Sequence, residues 1–301
     1  MRFIGNKTNL LNDISKVIKD NCDGTEKVFC DIFSGTASVS RFFKNKYTII
    51  SNDLLYSSYI LQMGTIENTD TPTFDKIRKV LNIEDVFDYL ENTDISKENF
   101  NKFIYENYSP NDNCERMYLT PENALRIDFI RNKIENWKNK ELITINEYYY
   151  LLASLIEGVP YVSNITGTYG AYLKQWDKRA FKKFELIRLN VIDNKSNNKC
   201  YNRNANELIK EIKGDILYLD PPYNERQYLP NYHLLETIAR YDNPEIKGKT
   251  GIRKYETEKS NYCIKNKVYN ELKELIKKAN FKHIIVSYNQ DGLLSEDEIK
   301  S

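Results

Sequence analysis

The sequence predicts an α/β fold, a parallel sheet of the nucleotide-binding kind interrupted by a large, mostly helical insertion. Three observations carry that expectation. A strand, a small-residue turn, a helix and a second strand ending in an acid follow one another through residues 28–53. The apolar run Asp215-Ile216-Leu217-Tyr218-Leu219 reads as a fully buried strand and stops at Asp220-Pro221-Pro222-Tyr223, because neither proline can donate to a sheet ladder. Between the two, from about residue 54 to 194, helical stretches alternate with Asn/Asp-rich breaks and no further strand–helix unit is evident.

Composition narrows the function classes. At 301 residues the chain can bury a substantial core. Lys+Arg 44 against Asp+Glu 43 gives a net charge of +1, so any nucleic-acid surface must be local. The start, Met1-Arg2-Phe3-Ile4-Gly5-Asn6-Lys7, has no apolar core of a signal peptide, and no apolar run is long enough to span a bilayer, so a soluble, cytoplasmic protein is expected. The cysteines, Cys22, Cys30, Cys114, Cys200 and Cys263, are odd in number and never spaced C-x-x-C, and the only histidines are His233 and His283. Those spacings argue against a disulfide framework and a zinc site, so metal-independent chemistry is expected.

Taken in order, residues 5–8 read as a loop feeding a helix on which Leu10, Leu11, Ile14, Val17 and Ile18 recur at helical spacing. Lys7 beside that loop could meet an anionic group, although spacing alone makes it a solvated charge. Residues 28–32 form a strand, residues 34–37 a small-residue turn that lets a ligand approach the backbone, and Val39, Phe42 and Phe43 one face of the next helix. The turn is not G-x-G-x-x-G, since Ala37 stands where a second glycine might be. Residues 47–53 are a second strand ending at Asp53, 18 positions after Gly35, about where such folds place a ribose-binding acid; a helix N-cap is its plainer role.

Inside the insertion, residues 74–90 and 124–138 read as helical, and residues 147–156 as a helix or a strand. Tyr161, Tyr169, Tyr172 and Trp176 then interleave with Lys174, Lys178, Arg179, Lys182, Lys183 and Arg188. Aromatics among Lys/Arg fit a nucleic-acid surface, while the basic run alone fits a solvated face. Beyond residue 198 a short strand over 199–203, a helix from Asn204 through Ile212 and Gly214 as its cap lead into the strand opened on. A polar loop with Arg226, a helix over about 232–239, a basic loop over 247–254 with Lys249 and Arg253, a helix over 268–278 and a strand over 283–289 complete the chain.

With these residues assembled, the chain resembles the D12-class, or Dam-like, S-adenosylmethionine-dependent DNA adenine-N6 methyltransferases over nearly its full length. Arg2-Phe3-Ile4-Gly5-Asn6-Lys7 is similar to the family's N-terminal cofactor motif, Asp31-Ile32-Phe33-Ser34-Gly35-Thr36 to its methionine-binding turn, Asp53 to its ribose acid, and Asp220-Pro221-Pro222-Tyr223 matches its catalytic motif. The resemblance implies a Rossmann-like methyltransferase sheet formed by residues 1–56 and 198–301, with residues 57–197 as the target-recognition insertion. It implies S-adenosyl-L-methionine held by Phe3, Lys7, Asp31, Phe33, Ser34, Gly35, Thr36, Asp53, Asn204 and Asp220. Asn204 stands where an aspartate is usual, but an amide oxygen can accept the same hydrogen bond. Double-stranded DNA is the expected partner, through Tyr169, Lys174, Lys178, Arg179, Arg226, Lys249 and Arg253. A restriction-modification system, with a cognate endonuclease or further domains of a longer polypeptide, is the expected setting.

The motif has a physical reading of its own. An adenine amino group is a poor nucleophile because its lone pair is delocalised, and Asp220 together with the Pro221 carbonyl could accept its N–H bonds as positive charge develops. Tyr223 offers a stacking face for a base flipped out of the duplex. A cytosine-C5 enzyme is excluded by the absence of a Pro-Cys pair; a cytosine-N4 enzyme and a catalytically silent DNA-binding module stay open.

Overall fold

The structure is a computed structural model that describes residues 5–300. Five strands, β1 (Val28–Asp31), β2 (Thr48–Asn52), β3 (Lys199–Tyr201), β4 (Lys213–Leu219) and β7 (Asn280–Val286), form one sheet in the order β3-β2-β1-β4-β7. All four pairings are parallel. The remaining two strands, β5 (Ile246–Lys247) and β6 (Ile252–Arg253), make a separate antiparallel hairpin. The order runs outward in opposite directions from β1 and β4, so the crevice beyond their carboxyl ends is the topological switch point where such sheets hold ligands.

Alternation along the strands builds both faces. Ile216 and Tyr218 of β4 join Phe29 and Ile49 on one side, where Ile14 and Ile18 of α1 (Leu11–Asn21) and Val39 and Phe43 of α2 (Ser38–Phe43) cover them. Leu217 and Leu219 join Cys30 on the other, under α9 (Ala205–Leu208) and α11 (Lys265–Lys278). Successive side chains of a strand point to opposite faces, so a run apolar at every position belongs in such a three-layer sandwich.

A third core gathers the insertion: α3 (Tyr56–Gln62), α4 (Asp75–Leu81), α5 (Val86–Asn92), α6 (Phe103–Tyr108), α7 (Pro121–Asn139) and α8 (Ile145–Gly158). Leu229, Leu234, Leu235 and Ile238 of α10 (Tyr228–Arg240) enter the same core. A helix that starts shortly after Asp220-Pro221-Pro222-Tyr223 therefore rests on the insertion. A short terminal helix, α12 (Glu296–Lys300), follows β7.

Several local expectations change. Residues 147–156 belong to a helix, started by a capping box in which Thr144 and Glu147 satisfy each other's backbone N–H. The stretch 74–90 divides into α4 and α5 because Asn82 adopts a left-handed conformation, φ 52°. Gly214 does not cap a helix; it lies within β4, paired with Phe281, at a point where an added Cβ would stand 2.7 Å from that ring and 2.9 Å from Val28. The helix after Asn204 is correspondingly shorter. The basic loop at 247–254 contains the β5–β6 hairpin.

Candidate active site

The carboxyl ends of β1, β2 and β4 deliver Asp31, Asp53 and Asp220 to one pocket. Its floor is the turn after β1. Gly35 (φ 52°) and Ala37 (φ 61°) both take left-handed conformations, so an alanine occupies a place that favours glycine. The turn is fastened to the end of β2: Ser34 N–H donates to the Asn52 carbonyl at 2.9 Å, Ser34 Oγ lies 2.8 Å from Ser51 Oγ, and Gly35 N–H donates to Asp53 Oδ2 at 2.8 Å. Asp53 Oδ1 accepts from Leu55 N–H at 2.8 Å, so this acid shapes the turn while lining the pocket.

Asp31 is buried, and its Oδ2 accepts from Ser40 Oγ at 2.9 Å while its Oδ1 has no hydrogen-bond partner among the described residues. Burial lifts its carboxyl to about 7, opposed by the Ser40 bond and reinforced by the charges of Asp220 and Asp53. Burial likewise lifts Asp53 to about 6 against its backbone N–H bonds. Asp220 is raised to about 6 by burial, although Lys7 pulls it down. Lys7 Nζ sits 2.9 Å from Asp220 Oδ1 with both side chains largely covered, so it is a half-buried partner of the acid and not a freely solvated charge. Three crowded carboxylates facing one lysine make a site that favours added positive charge.

Pro222 and Tyr223 line the same pocket, with Phe33 and Thr36. The motif is held by Ser287 N–H on the Leu219 carbonyl at 2.8 Å and Leu293 N–H on the Tyr223 carbonyl at 2.9 Å. Asn204 is on the pocket wall, where its amide oxygen caps α9 by accepting from Asn206 and Glu207 N–H. Phe3 lies outside the described residues.

The family model for D12 class N6 adenine-specific DNA methyltransferases matches residues 3–301. This chain belongs to that family. The D12-class chain is 55% identical to the type II methyltransferase M.FokI of Planomicrobium okeanokoites, covering 100% of this chain and 46% of the relative. It is 46% identical to the modification methylase StsI of Streptococcus sanguinis, over 99% of this chain and 45% of the relative. It is 41% identical to the type II methyltransferase M.NlaIII of Neisseria lactamica, over 100% of this chain and 86% of the relative. The chain thus spans about half the length of the first two relatives. No solved structure gives a significant match.

In this D12-class chain the residues expected on DNA divide in two. Lys174, Lys178, Arg226 and Lys249 are exposed. Tyr169 is 1% exposed, its hydroxyl 3.1 Å from Ser163 Oγ, so it packs in the core instead of offering a face to DNA. Arg253 is also buried, paired through both terminal nitrogens with Asp242. Arg179 is half-buried, bonded to the Ile165 carbonyl and close to Asp177. The aromatic–basic pattern was legible, but which members face outward depends on the fold.

Other pocket residues carried no local signal. Tyr262 meets Phe33 edge-on at 5.0 Å and donates to Asn206 Oδ1 at 2.7 Å. Gln227 clamps Ser260 through both amide atoms, Nε2 to the carbonyl at 3.0 Å and Oε1 from the N–H at 2.8 Å. Tyr228 lines the same pocket, where burial and then the charge of Asp220 push its phenol up. These residues come from segments distant in sequence from the turn they complete.

Proposed function

We propose that this chain transfers a methyl group from S-adenosylmethionine to the N6 amino group of adenine in double-stranded DNA, as the modification activity of a restriction-modification system. The observation that carries the reading is the meeting of Asp31, Asp53 and Asp220 in one pocket, with Lys7 on Asp220. The orphaned Asp31 Oδ1 is an acceptor in want of a cation, and the turn at 34–36 leaves backbone close to the cavity. Both features fit S-adenosylmethionine, which when bound supplies an electrophilic methyl on a sulfonium cation.

Asp31 would hold the cofactor's ammonium end, Ser34, Gly35 and Thr36 would pack against its methionine part, and Asp53 has carboxylate lone pairs left for a ribose hydroxyl. Asp220 and the Pro221 carbonyl would accept the N–H bonds of the incoming amine, and Tyr223 would stack on the flipped base. Because Lys7 already occupies Asp220 Oδ1, the adenine amine must share or displace that contact. The transfer is direct, and it depends on orientation more than on any covalent help from the protein.

Exposed Lys174 and Lys178 lie on either side of Trp176 in the chain, and the Trp176 and Phe181 rings lie 5.7 Å apart, with Phe181 65% exposed. This patch supports a DNA-facing role, the lysines on phosphate and the rings available to bases. The M.FokI, StsI and M.NlaIII names support the modification setting. The test is transfer of labelled methyl to mixed-sequence DNA followed by mapping of the modified base. Asp220→Ala is expected to abolish transfer with the fold intact by circular dichroism; wild-type turnover in that variant would overturn the assignment.

A further inference from the structure

A second cluster of chemistry-bearing side chains lies at the opposite edge of the sheet from the pocket. Cys22 ends α1, Glu26 stands two residues before β1, and His283 lies in β7, in register with Ile216 of β4, which itself faces Phe29 of β1. Their ligand atoms all fall within 4.8 Å of one another. We propose that Cys22, Glu26 and His283 form a binding site for a borderline-soft divalent metal ion, Zn2+ foremost, that staples the end of α1 to the edge strand of the sheet.

The geometry favours an ion in three ways. His283 Nε2 and Glu26 Oε1 are 3.2 Å apart, close to the roughly 3.3 Å that separates two ligands each about 2.0 Å from a tetrahedral ion. The Glu26 side chain is 1% exposed, and its second oxygen is already oriented by Gly24 N–H at 3.0 Å, as metal-ligating carboxylates commonly are. Of the five cysteines, four are buried and Cys22 is half-exposed, so its thiol is open to an ion from solvent. Gly24, at φ 88° with open space around it, reverses the chain so that Cys22 and Glu26 turn to the same side.

The donor set also selects the ion. One thiolate, one imidazole and one carboxylate suit Zn2+ and its thiophilic analogues, and poorly suit Mg2+ or Ca2+, which take oxygen ligands. A fourth position would be filled by water. The hydrogen bond between His283 and Glu26 would account for two of the three groups without a metal, but it gives Cys22 no part. Burial, then the Glu26 charge, and last Asp23 push the Cys22 thiol up against the opposing charge of Lys46, so an ion would bind there by displacing the thiol proton. The site is remote from the methyl-transfer pocket, since Glu26 precedes β1 while Asp31 closes it, so the metal would act on stability and not on chemistry.

The experiment titrates purified, metal-stripped protein with Cd2+, following the near-ultraviolet thiolate-to-metal absorption, and with Zn2+, following Tm. One ion per chain, a Cd2+ band and a Zn2+-dependent rise in Tm are expected. Losing even an outer partner costs about 10–100-fold in metal affinity, so Cys22→Ser and His283→Ala should each lose at least about tenfold. Methyl transfer should be unchanged in both variants. Absence of the band and of the Tm rise in the wild-type chain would overturn the proposal and leave a Glu26–His283 ion pair. A band that survives Cys22→Ser would overturn it equally, by assigning the metal to another thiol.

Discussion

At the residue scale, the pocket gathers three acids, Asp31, Asp53 and Asp220, that a folded chain would not choose to crowd. Burial raises Asp31 from 3.8 to about 7, and Asp53 and Asp220 from 3.8 to about 6. The folded state therefore holds more protons than the unfolded chain between those values, and these groups weaken the unliganded protein as pH rises from about 4 to about 7. A cationic ligand needs the ionised forms, so the Tm shift given by S-adenosylmethionine is expected to grow from about pH 5 to about pH 8, with protons released on binding. Calorimetry in buffers of different ionisation enthalpy measures that release, and a pH-independent affinity without proton release would refute the electrostatic account. Ala37 gives a second expectation. Glycine there would relieve a left-handed alanine, by about 1–2 kcal/mol, while deleting a buried methyl worth about 0.8 kcal/mol and freeing the unfolded chain. Ala37→Gly should thus stay within about 1 kcal/mol of wild type in urea unfolding, whereas a loss several times larger would mean that the methyl packs more tightly than its site suggests.

At the scale of elements, β4 organises the molecule because both its faces are buried and both its ends are used. Asp215 near its start accepts from Lys27 and Val28 N–H at 2.8 and 2.9 Å, setting the register of β1, and Asp220 follows its end. Gly214 lets Val28 and Phe281 close over the strand. Gly214→Ala should cost about 1–3 kcal/mol through overpacking; an unchanged unfolding midpoint would show that the two neighbours yield freely. The loop carrying Trp176 depends on one residue in the same manner. Asn164, fully buried, donates to the Met117 and Leu173 carbonyls at 2.9 and 3.0 Å and accepts from Asp177 N–H at 2.8 Å. Such a saturated amide fixes a loop that has no ladder of its own.

For the whole molecule, the pairing of insertion and sheet through α10 sets the Tyr228 end of that helix in the pocket and its Ile238 end in the helical core. Any DNA lying across the insertion would thereby be registered on Asp220. Replacing both Lys174 and Lys178 with alanine is expected to weaken DNA binding at all sequences and reduce the salt slope by about 1 per lysine, measured by titration at several salt concentrations; an unchanged slope would remove that face from the interface. No described helix is long and apolar enough to cross a membrane.

Local sequence alone determined the strand that stops at Asp220-Pro221-Pro222-Tyr223, the turn at 34–37 and the helical character of the insertion, because backbone preference and apolar period act over a few residues. It also marked Asp53 and Asp220, since an acid at a strand's end falls on the ligand edge wherever the sheet is parallel, whereas Asp31 came only from the family resemblance. Tertiary structure alone decided that Lys7 pairs with Asp220, that Tyr262 and Gln227 complete the pocket, that Tyr169 and Arg253 turn inward, and that Cys22, Glu26 and His283 converge. Each of those outcomes depends on which distant segment folds against a side chain. Burial and pairing are properties of that neighbourhood, and no pattern within a few residues of the side chain contains it.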